Sequence, residues 1–177
     1  MKSMPIGKPE FARLERGLFE RRAYDAIKLS TLLYYGGLRV SEALQWSTAE
    51  ILQGCDRGFL VAWQEKQGER RDVPLTTNAQ TTLMLLAVRH PGKNGRFIDY
   101  HDGDSARVAL NRFIRMILGR GYTSHGFRRA LITDLLRDGN VPLIDVQRIV
   151  GHNSPMSTAE YLHDSIAHKQ AAVSKVR

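Results

Sequence analysis

The sequence lacks the features that mark several large classes of protein. Its 177 residues include a single cysteine, Cys55, which excludes an internal disulfide and a metal site built from several cysteines. The longest apolar run, residues 83–88, is far shorter than the roughly 20 residues that a membrane-spanning helix needs. The first ten residues contain no apolar stretch typical of a secretory signal. We therefore expect one soluble, cytoplasmic main domain with no membrane partner.

Acidic residues are missing from one long stretch of the chain. Between residues 105 and 129 there is no Asp or Glu, and six arginines occur there: Arg107, Arg112, Arg115, Arg120, Arg128 and Arg129. The formal net charge of the whole chain is +8. Because a solvated helix face usually mixes charges of both signs, this pattern indicates a surface that binds phosphates.

Hydrophobic periodicity predicts a mainly α-helical fold with one small antiparallel β-hairpin. The predicted helices cover residues 9–20, 22–35, 76–89, 105–118, 125–138 and 142–150, and a further helix starts at Leu38. Apolar residues 58–63 and residues 70–75 form the predicted strands, with Gly68 in the turn between them. Residues 1–9 are expected to be a loose lead-in and residues 91–104 a loop. On the arginine-bearing helix, the residues expected to face the core are Val108, Leu110, Phe113, Ile114 and Ile117.

Residues 123–161 carry polar side chains that suit phosphoryl-transfer chemistry. His125 and Arg128 are three residues apart, so they share one side of the first turn of a helix that Ser124 caps. His152 follows the glycine that ends the next helix, and Tyr161 lies on a third, short helix. A hydroxyl nucleophile, two imidazoles and a guanidinium in this order can bind and attack a phosphodiester.

Each candidate residue also has a simpler interpretation when it is taken alone. Arg39 follows two glycines that permit close approach of a ligand, yet it also fits a surface arginine. Lys66 lies at the predicted hairpin tip, where it is either idle or a mobile general acid. The two histidines fit packing or capping roles, and no partner at metal-ligand spacing accompanies them. Tyr161 fits core packing, and its hydroxyl is a poor nucleophile without a neighbouring base.

Five short motifs, taken together, resemble the catalytic domain of the tyrosine recombinases, the family of phage integrases, Xer-type resolvases and fimbrial invertases. The resemblance covers residues 29–163. Residues 37–42 are similar to the first arginine box, and Lys66 with residues 71–75 to the β-hairpin lysine. Residues 124–129 are similar to the His-x-x-Arg box, residues 150–152 to the Leu-Gly-His box, and residues 158–163 to the tyrosine box. The order and spacing of the five motifs make the resemblance specific.

The resemblance implies a role for each matching residue. Tyr161 would attack the scissile phosphate and form a 3′-phosphotyrosyl link, while Lys66 would protonate the departing 5′-oxygen. The residues that would hold the phosphate oxygens or assist proton transfer are Arg39, His125, Arg128 and His152. Arg129 stands where many members carry a histidine and receives no catalytic role. The candidate DNA contacts are Arg107, Arg112, Arg115 and Arg129.

The resemblance also implies a domain layout and a partner. Residues 1–163 form the catalytic domain in this interpretation, and residues 164–177 form a tail that family members exchange between subunits. The N-terminal core-binding domain of most members is expected to be absent. The implied partner is double-stranded DNA, bound by a homo-tetramer on paired sites and by a monomer otherwise, with no cofactor and no metal. Two alternatives stay open: a type IB topoisomerase-like relaxing enzyme, and a non-catalytic DNA-binding regulator with the same fold.

Overall fold

The computed structural model describes residues 3–64, 68–137 and 139–151. The chain divides into two compact units, residues 1–131 and residues 132–177. In chain order the described elements are α1 (Lys8–Glu20), α2 (Tyr24–Gly36), α3 (Thr48–Arg57), β1 (Phe59–Gln64), β2 (Glu69–Pro74), α4 (Thr77–Arg89), α5 (Gly103–Leu118), α6 (His125–Arg137) and α7 (Leu143–Val150). The predicted mainly helical fold with one antiparallel hairpin is confirmed. Within the described ranges, no helix is both long and apolar enough to cross a bilayer.

The core of the first unit forms around α2, which is buried on almost every side. Ile27, Leu29 and Leu33 lie inside it, and the apolar faces of the neighbouring helices pack around them. Even Lys28 is buried, because its ammonium donates hydrogen bonds to the carbonyl of Phe97 (2.8 Å) and to the carboxylate of Asp25 (3.3 Å). A buried ammonium needs such partners to offset the loss of water. These bonds tie the connection between α4 and α5 to the core.

The β-hairpin follows the prediction closely. β1 and β2 pair antiparallel from Phe59 opposite Pro74 to Gln64 opposite Glu69. Gly68 adopts a positive φ of 64° just before β2, which is a conformation that glycine reaches without a steric penalty. Pro74 lies at the end of its strand, where its missing N–H costs no ladder bond.

The helix predicted to start at Leu38 is wrong. Gly37 ends α2 in the left-handed conformation, and a short 3₁₀ turn, Glu42–Leu44, follows. The next α-helix, α3, begins only at Thr48, where Ser47 and Glu50 form a reciprocal capping box. The carboxylate of Glu42 accepts a hydrogen bond from the backbone N–H of Arg39 (3.0 Å) across the start of this turn.

The expected loose lead-in is also wrong for residues 3–9, which pair with the chain before and at the start of α6 and then enter α1. Met4 forms a parallel bridge with Tyr122, its N–H donates to the carbonyl of Gly121 (2.8 Å), and Ile6 donates to the carbonyl of Gly126 (3.0 Å). Ile6 is fully buried. A pairing this short has no periodicity that a sequence pattern can reveal. It nevertheless attaches residues 3–6 to the start of α6.

One face of α5 differs from the prediction. The buried stripe consists of Ala106, Leu110, Ile114 and Leu118, whereas the side chain of Val108 is 61% exposed. Successive helical residues turn by about 100°, so residues 108 and 110 lie on nearly opposite faces and cannot both point inward. Phe113 and Ile117 are partly buried beside the stripe. The predicted core face is therefore correct except at Val108.

In the second unit, the described residues comprise the end of α6, a short connection and α7. Gly139 donates to the carbonyl of Asp134 (2.9 Å), and Val141 donates to the carbonyl of Leu135 (2.9 Å) as the chain leaves α6. α7 then buries Val146 and Val150, and Gly151 ends it in the left-handed conformation. The helix predicted over residues 142–150 is confirmed to within one residue.

Candidate active site

One cleft in the first unit, of about 640 Å³, contains three of the six predicted catalytic residues. Arg39, His125 and Arg128 all line it. They come from positions far apart in the chain, and the fold brings them together between the end of α2 and the start of α6. Lys66, His152 and Tyr161 lie outside the described residues, so their roles stay predictions.

The two arginines are linked through Gly37. Its left-handed conformation ends α2 and directs the chain into the turn that carries Arg39. The carbonyl of Gly37 accepts a hydrogen bond from Nη1 of Arg128 (2.9 Å), which sits on the first turn of α6 and is 7% exposed. His125, the first residue of that helix, is exposed. The turn after α2 thus carries Arg39 and also accepts a hydrogen bond from Arg128.

Glu42 holds Arg39 in place, and sequence reasoning gave it no role. One carboxylate oxygen pairs with Nη1 of Arg39, and the other accepts from the backbone N–H of Arg39. Burial by itself would raise the pKa of Glu42, but the hydrogen bonds from Arg39 and the charges of Arg71 and Arg39 outweigh it, so the pKa falls below its ordinary value. The carboxylate is therefore ionised at neutral pH. The signal in the sequence is an acid three residues after Arg39.

Arg71, on β2, binds the same carboxylate. Its Nη2 lies 3.1 Å from Oε2 of Glu42, and the side chains of both residues are buried. Burial lowers the pKa of Arg71, and the attraction of Glu42 opposes that shift. Arg71 belongs to the hairpin motif noted in the sequence, but only the folded chain places it against Glu42.

The start of α5 also lines the cleft. A Cβ placed on Gly103 would lie 3.4 Å from Cβ of Ser41, so this helix start packs closely against the turn that carries Arg39. Asp102 caps α5 by accepting a hydrogen bond from the N–H of Ser105 (2.7 Å). That bond, with others from the His101 ring and the Ser105 hydroxyl, lowers the pKa of Asp102 to about 2. The carboxylates of Asp102 and Asp104 therefore line the same cleft as the arginines.

Three of the four candidate DNA contacts share the exposed side of α5. Arg107 lines the cleft and pairs with Asp104 at 3.0 Å. Arg112 and Arg115 lie further along, where with Val108 and Met116 they border a shallow groove of about 460 Å³. Arg129 is half-buried on α6. Contact with DNA stays a prediction for all four.

The donor set of the cleft suits an oxyanion. The cleft is lined by the guanidiniums of Arg39, Arg107 and Arg128 and the imidazole of His125, and guanidiniums bind phosphate oxygens in a planar, often bidentate geometry. Across residues 3–64, 68–137 and 139–151, no three His, Cys, Asp or Glu side chains are grouped to hold a metal ion. The cleft offers hydrogen-bond donors and positive charge to a bound oxyanion.

Comparison with known protein families and curated sequences gives a consistent result. A model of the phage integrase family matches residues 19–168. The tyrosine recombinase XerC of Rhodospirillum centenum is 29% identical over 150 residues, which make up 79% of this chain and 42% of that relative. The chain thus spans less than half the length of this relative.

Solved structures share the fold at low sequence identity. The catalytic domain of bacteriophage HP1 integrase superposes with a TM-score of 0.66 at 20% identity, covering 98% of this chain and 95% of that one. The Tn1549 transposon integrase in complex with transposon right end DNA gives a TM-score of 0.79 at 13% identity, covering 99% and 66% of the two chains. These similarities confirm the predicted fold.

Proposed function

Because the chain belongs to the phage integrase family, we propose that it acts as the catalytic domain of a tyrosine site-specific recombinase. In this proposal it cleaves and rejoins DNA strands through a covalent 3′-phosphotyrosyl intermediate. The observation that carries the proposal is the single cleft in which Arg39, His125 and Arg128 meet. These are the described members of the residue set inferred from the five sequence motifs.

In the proposed cleavage step, the hydroxyl oxygen of Tyr161 attacks the scissile phosphorus. A bond forms between that oxygen and phosphorus, and the bond from phosphorus to the 5′-oxygen breaks. His125 accepts the phenol proton, and Lys66 supplies a proton to the leaving 5′-oxygen. The phosphotyrosyl bond conserves the energy of the phosphodiester, so a 5′-hydroxyl can reverse the step on another strand without ATP.

Charge stabilisation is assigned to the other residues. Arg39 and Arg128 bind the non-bridging oxygens as negative charge builds up on them, and His152 donates a further hydrogen bond. Arg128 suits this task because its guanidinium is buried and already oriented by the carbonyl of Gly37. A donor fixed before the reaction needs no reorganisation during it.

The proposed partner is double-stranded DNA. Arg107, Arg112, Arg115 and Arg129 would bind its backbone, and four copies of the chain would assemble on two paired sites. The exposed arginines of α5 support the first part. Light scattering of the chain with and without paired DNA sites tests the second part, for which the expected change is from monomer to tetramer.

The chemistry is tested by trapping the intermediate. The chain is incubated with a pool of nicked duplexes of randomised sequence, so that the departing strand is lost after cleavage and the covalent adduct accumulates. We expect an adduct with the wild-type chain and none with Tyr161→Phe, because that substitution removes only the attacking oxygen. Denaturing gels and mass spectrometry of the adducted peptide provide the readout.

Tyr24→Phe serves as the matched control. Tyr24 stacks on His90 with ring centroids 3.6 Å apart and does not line the cleft, so it should form the adduct at the wild-type rate. An adduct that persists in Tyr161→Phe would move the nucleophile elsewhere. DNA binding with no adduct in any variant would support the alternative of a non-catalytic DNA-binding regulator. Relaxation of supercoiled plasmid without paired sites would support the alternative of a type IB topoisomerase-like enzyme.

A further inference from the structure

We propose that Arg71 is a positioning residue that keeps the positive charge of Arg39 available to the scissile phosphate, by sharing the carboxylate of Glu42. The inference rests on the proposed function, because it assigns a task to a residue behind the same cleft. Arg71 does not line that cleft. It acts through Glu42 and touches neither the substrate nor the reacting atoms.

The contacts show how the carboxylate is divided. One oxygen of Glu42 pairs with Nη1 of Arg39. The second oxygen accepts from the backbone N–H of Arg39 at 3.0 Å and from Nη2 of Arg71 at 3.1 Å. A single negative charge therefore serves two guanidiniums, and the group of three side chains carries a net charge of +1.

Exposure separates the two guanidiniums. The side chain of Arg39 is 33% exposed and lines the cleft, whereas those of Arg71 and Glu42 are 8% and 5% exposed. Because charges buried away from water interact strongly, the second guanidinium has a large effect on the field around the first. Without Arg71, Glu42 would pair with Arg39 alone, and a phosphate in the cleft would face a nearly neutral pair.

The hairpin fixes Arg71 in this position. Arg71 pairs across the sheet with Ala62, which is fully buried, so a shift in register would remove both residues from their places. Arg70, the neighbouring residue, points to the exposed side of the strand. Two adjacent arginines of equal charge thus have different surroundings, and Arg70 provides a matched control.

The experiment uses five forms of the full chain to separate the effect of the Arg71 charge from the effect of its packing. Wild type, Arg70→Met, Arg71→Met, Arg71→Lys and the double variant Arg71→Met/Glu42→Gln are titrated with inorganic phosphate by calorimetry at low salt. Single-turnover adduct formation on the nicked DNA pool is measured in parallel. Thermal unfolding verifies that each variant is folded.

If Arg39 and Arg71 share the carboxylate of Glu42, the five forms should rank in a definite order of phosphate affinity and adduct rate. Arg71→Met should lower phosphate affinity and adduct rate about tenfold or more, while Arg70→Met stays within about twofold of wild type in both. Arg71→Lys should retain most of the affinity, because it keeps the charge. The double variant should bind phosphate more tightly than Arg71→Met, because removing the carboxylate leaves Arg39 without its neutralising charge.

A purely structural role predicts the opposite for the double variant, since losing both partners should disturb the site more than losing one. Weaker phosphate binding by the double variant than by Arg71→Met would therefore overturn the inference, as would wild-type behaviour of Arg71→Met. Failure of the proposed function looks different. In that case wild type forms no adduct, and the ranking of phosphate affinities still decides the role of Arg71.

Discussion

At the scale of single residues, the cleft is built by few and specific contacts. Arg128 is buried and donates to a backbone carbonyl, so its guanidinium is oriented before any substrate arrives. Arg39 is more exposed and depends on a buried carboxylate for its position. A backbone carbonyl therefore orients Arg128, whereas a side-chain carboxylate orients Arg39.

Asp102 provides a test of the negative charge in the cleft. Its pKa of about 2 lies below the ordinary value, so it stabilises the fold above pH 4 and this contribution is lost as the pH falls toward 2. Asn also caps helices well. We expect Asp102→Asn to retain the cap but to weaken the acid-induced loss of stability between about pH 4 and pH 2, measured by urea unfolding at several pH values. Asp72 is an exposed carboxylate on β2, and Asp72→Asn serves as the control.

If Asp102→Asn and Asp72→Asn lose stability equally between pH 4 and pH 2, the hydrogen bonds to Asp102 do not stabilise its charged form. The sign of the effect is fixed, because a group with a lowered pKa binds fewer protons when folded. Steeper acid unfolding of Asp102→Asn would contradict the described cap.

The sequence predicts one part of this site and misses the other. The order of the sequence motifs predicts a shared site for Arg39, His125 and Arg128, and the three residues line one cleft. Glu42 and Arg71 had no assigned task because their meeting depends on how β2 packs beside the turn after α2. A pairing between residues 29 positions apart leaves no periodic pattern in the chain.

At the scale of elements, hydrophobic periodicity predicts the long helices but not where the chain becomes helical again after α2. The hairpin was predicted from its turn glycine and apolar strand. In place of the helix expected at Leu38 the chain forms only the short 3₁₀ turn Glu42–Leu44, and the capping box of Ser47 and Glu50 marks the start of α3. Hydrophobic periodicity does not register such hydrogen bonds by polar side chains.

The junction between residues 3–6 and α6 can be tested at Gly126. A Cβ at this position would lie 2.4 Å from the carbonyl oxygen of Met4 and 2.8 Å from Cγ1 of Ile6. Glycine to alanine in a helix usually stabilises by up to about 1 kcal/mol. Here we expect Gly126→Ala to destabilise by about 1–3 kcal/mol, because the clash forces the two segments apart. Thermal and urea unfolding measure the change.

Deletion of residues 1–6 gives the control for this prediction. In the shortened chain the clashing atoms are gone, so adding Gly126→Ala should cost less than it does in the full chain. Equal costs in both backgrounds would mean that the amino-terminal segment does not pack against α6 as described.

At the scale of the whole molecule, the basic charge should appear as a salt dependence of DNA binding. Each phosphate contact releases a counterion, so affinity should fall steeply as salt rises. We expect Arg112→Gln and Arg115→Gln each to reduce the slope of log affinity against log salt by about 1. Fluorescence anisotropy with a labelled duplex at several salt concentrations measures the slope. Arg89→Gln, an exposed arginine at the end of α4, should leave it unchanged.

An unchanged slope in both α5 variants would place the DNA surface elsewhere on the protein. The net charge alone does not decide this point, because many basic proteins bind no nucleic acid. What supports α5 is the clustering of exposed arginines along one helix beside the cleft.

The single bond from Arg128 to the carbonyl of Gly37 spans 91 positions in the chain. Because it sets the spacing of the second arginine from the turn that carries the first, the number of residues in between does not enter that spacing. Lengthening a surface connection between the two positions would add mainly loop-closure entropy, which grows with the logarithm of length. The site can therefore stay constant in shape while surface connections between its parts lengthen or shorten over generations.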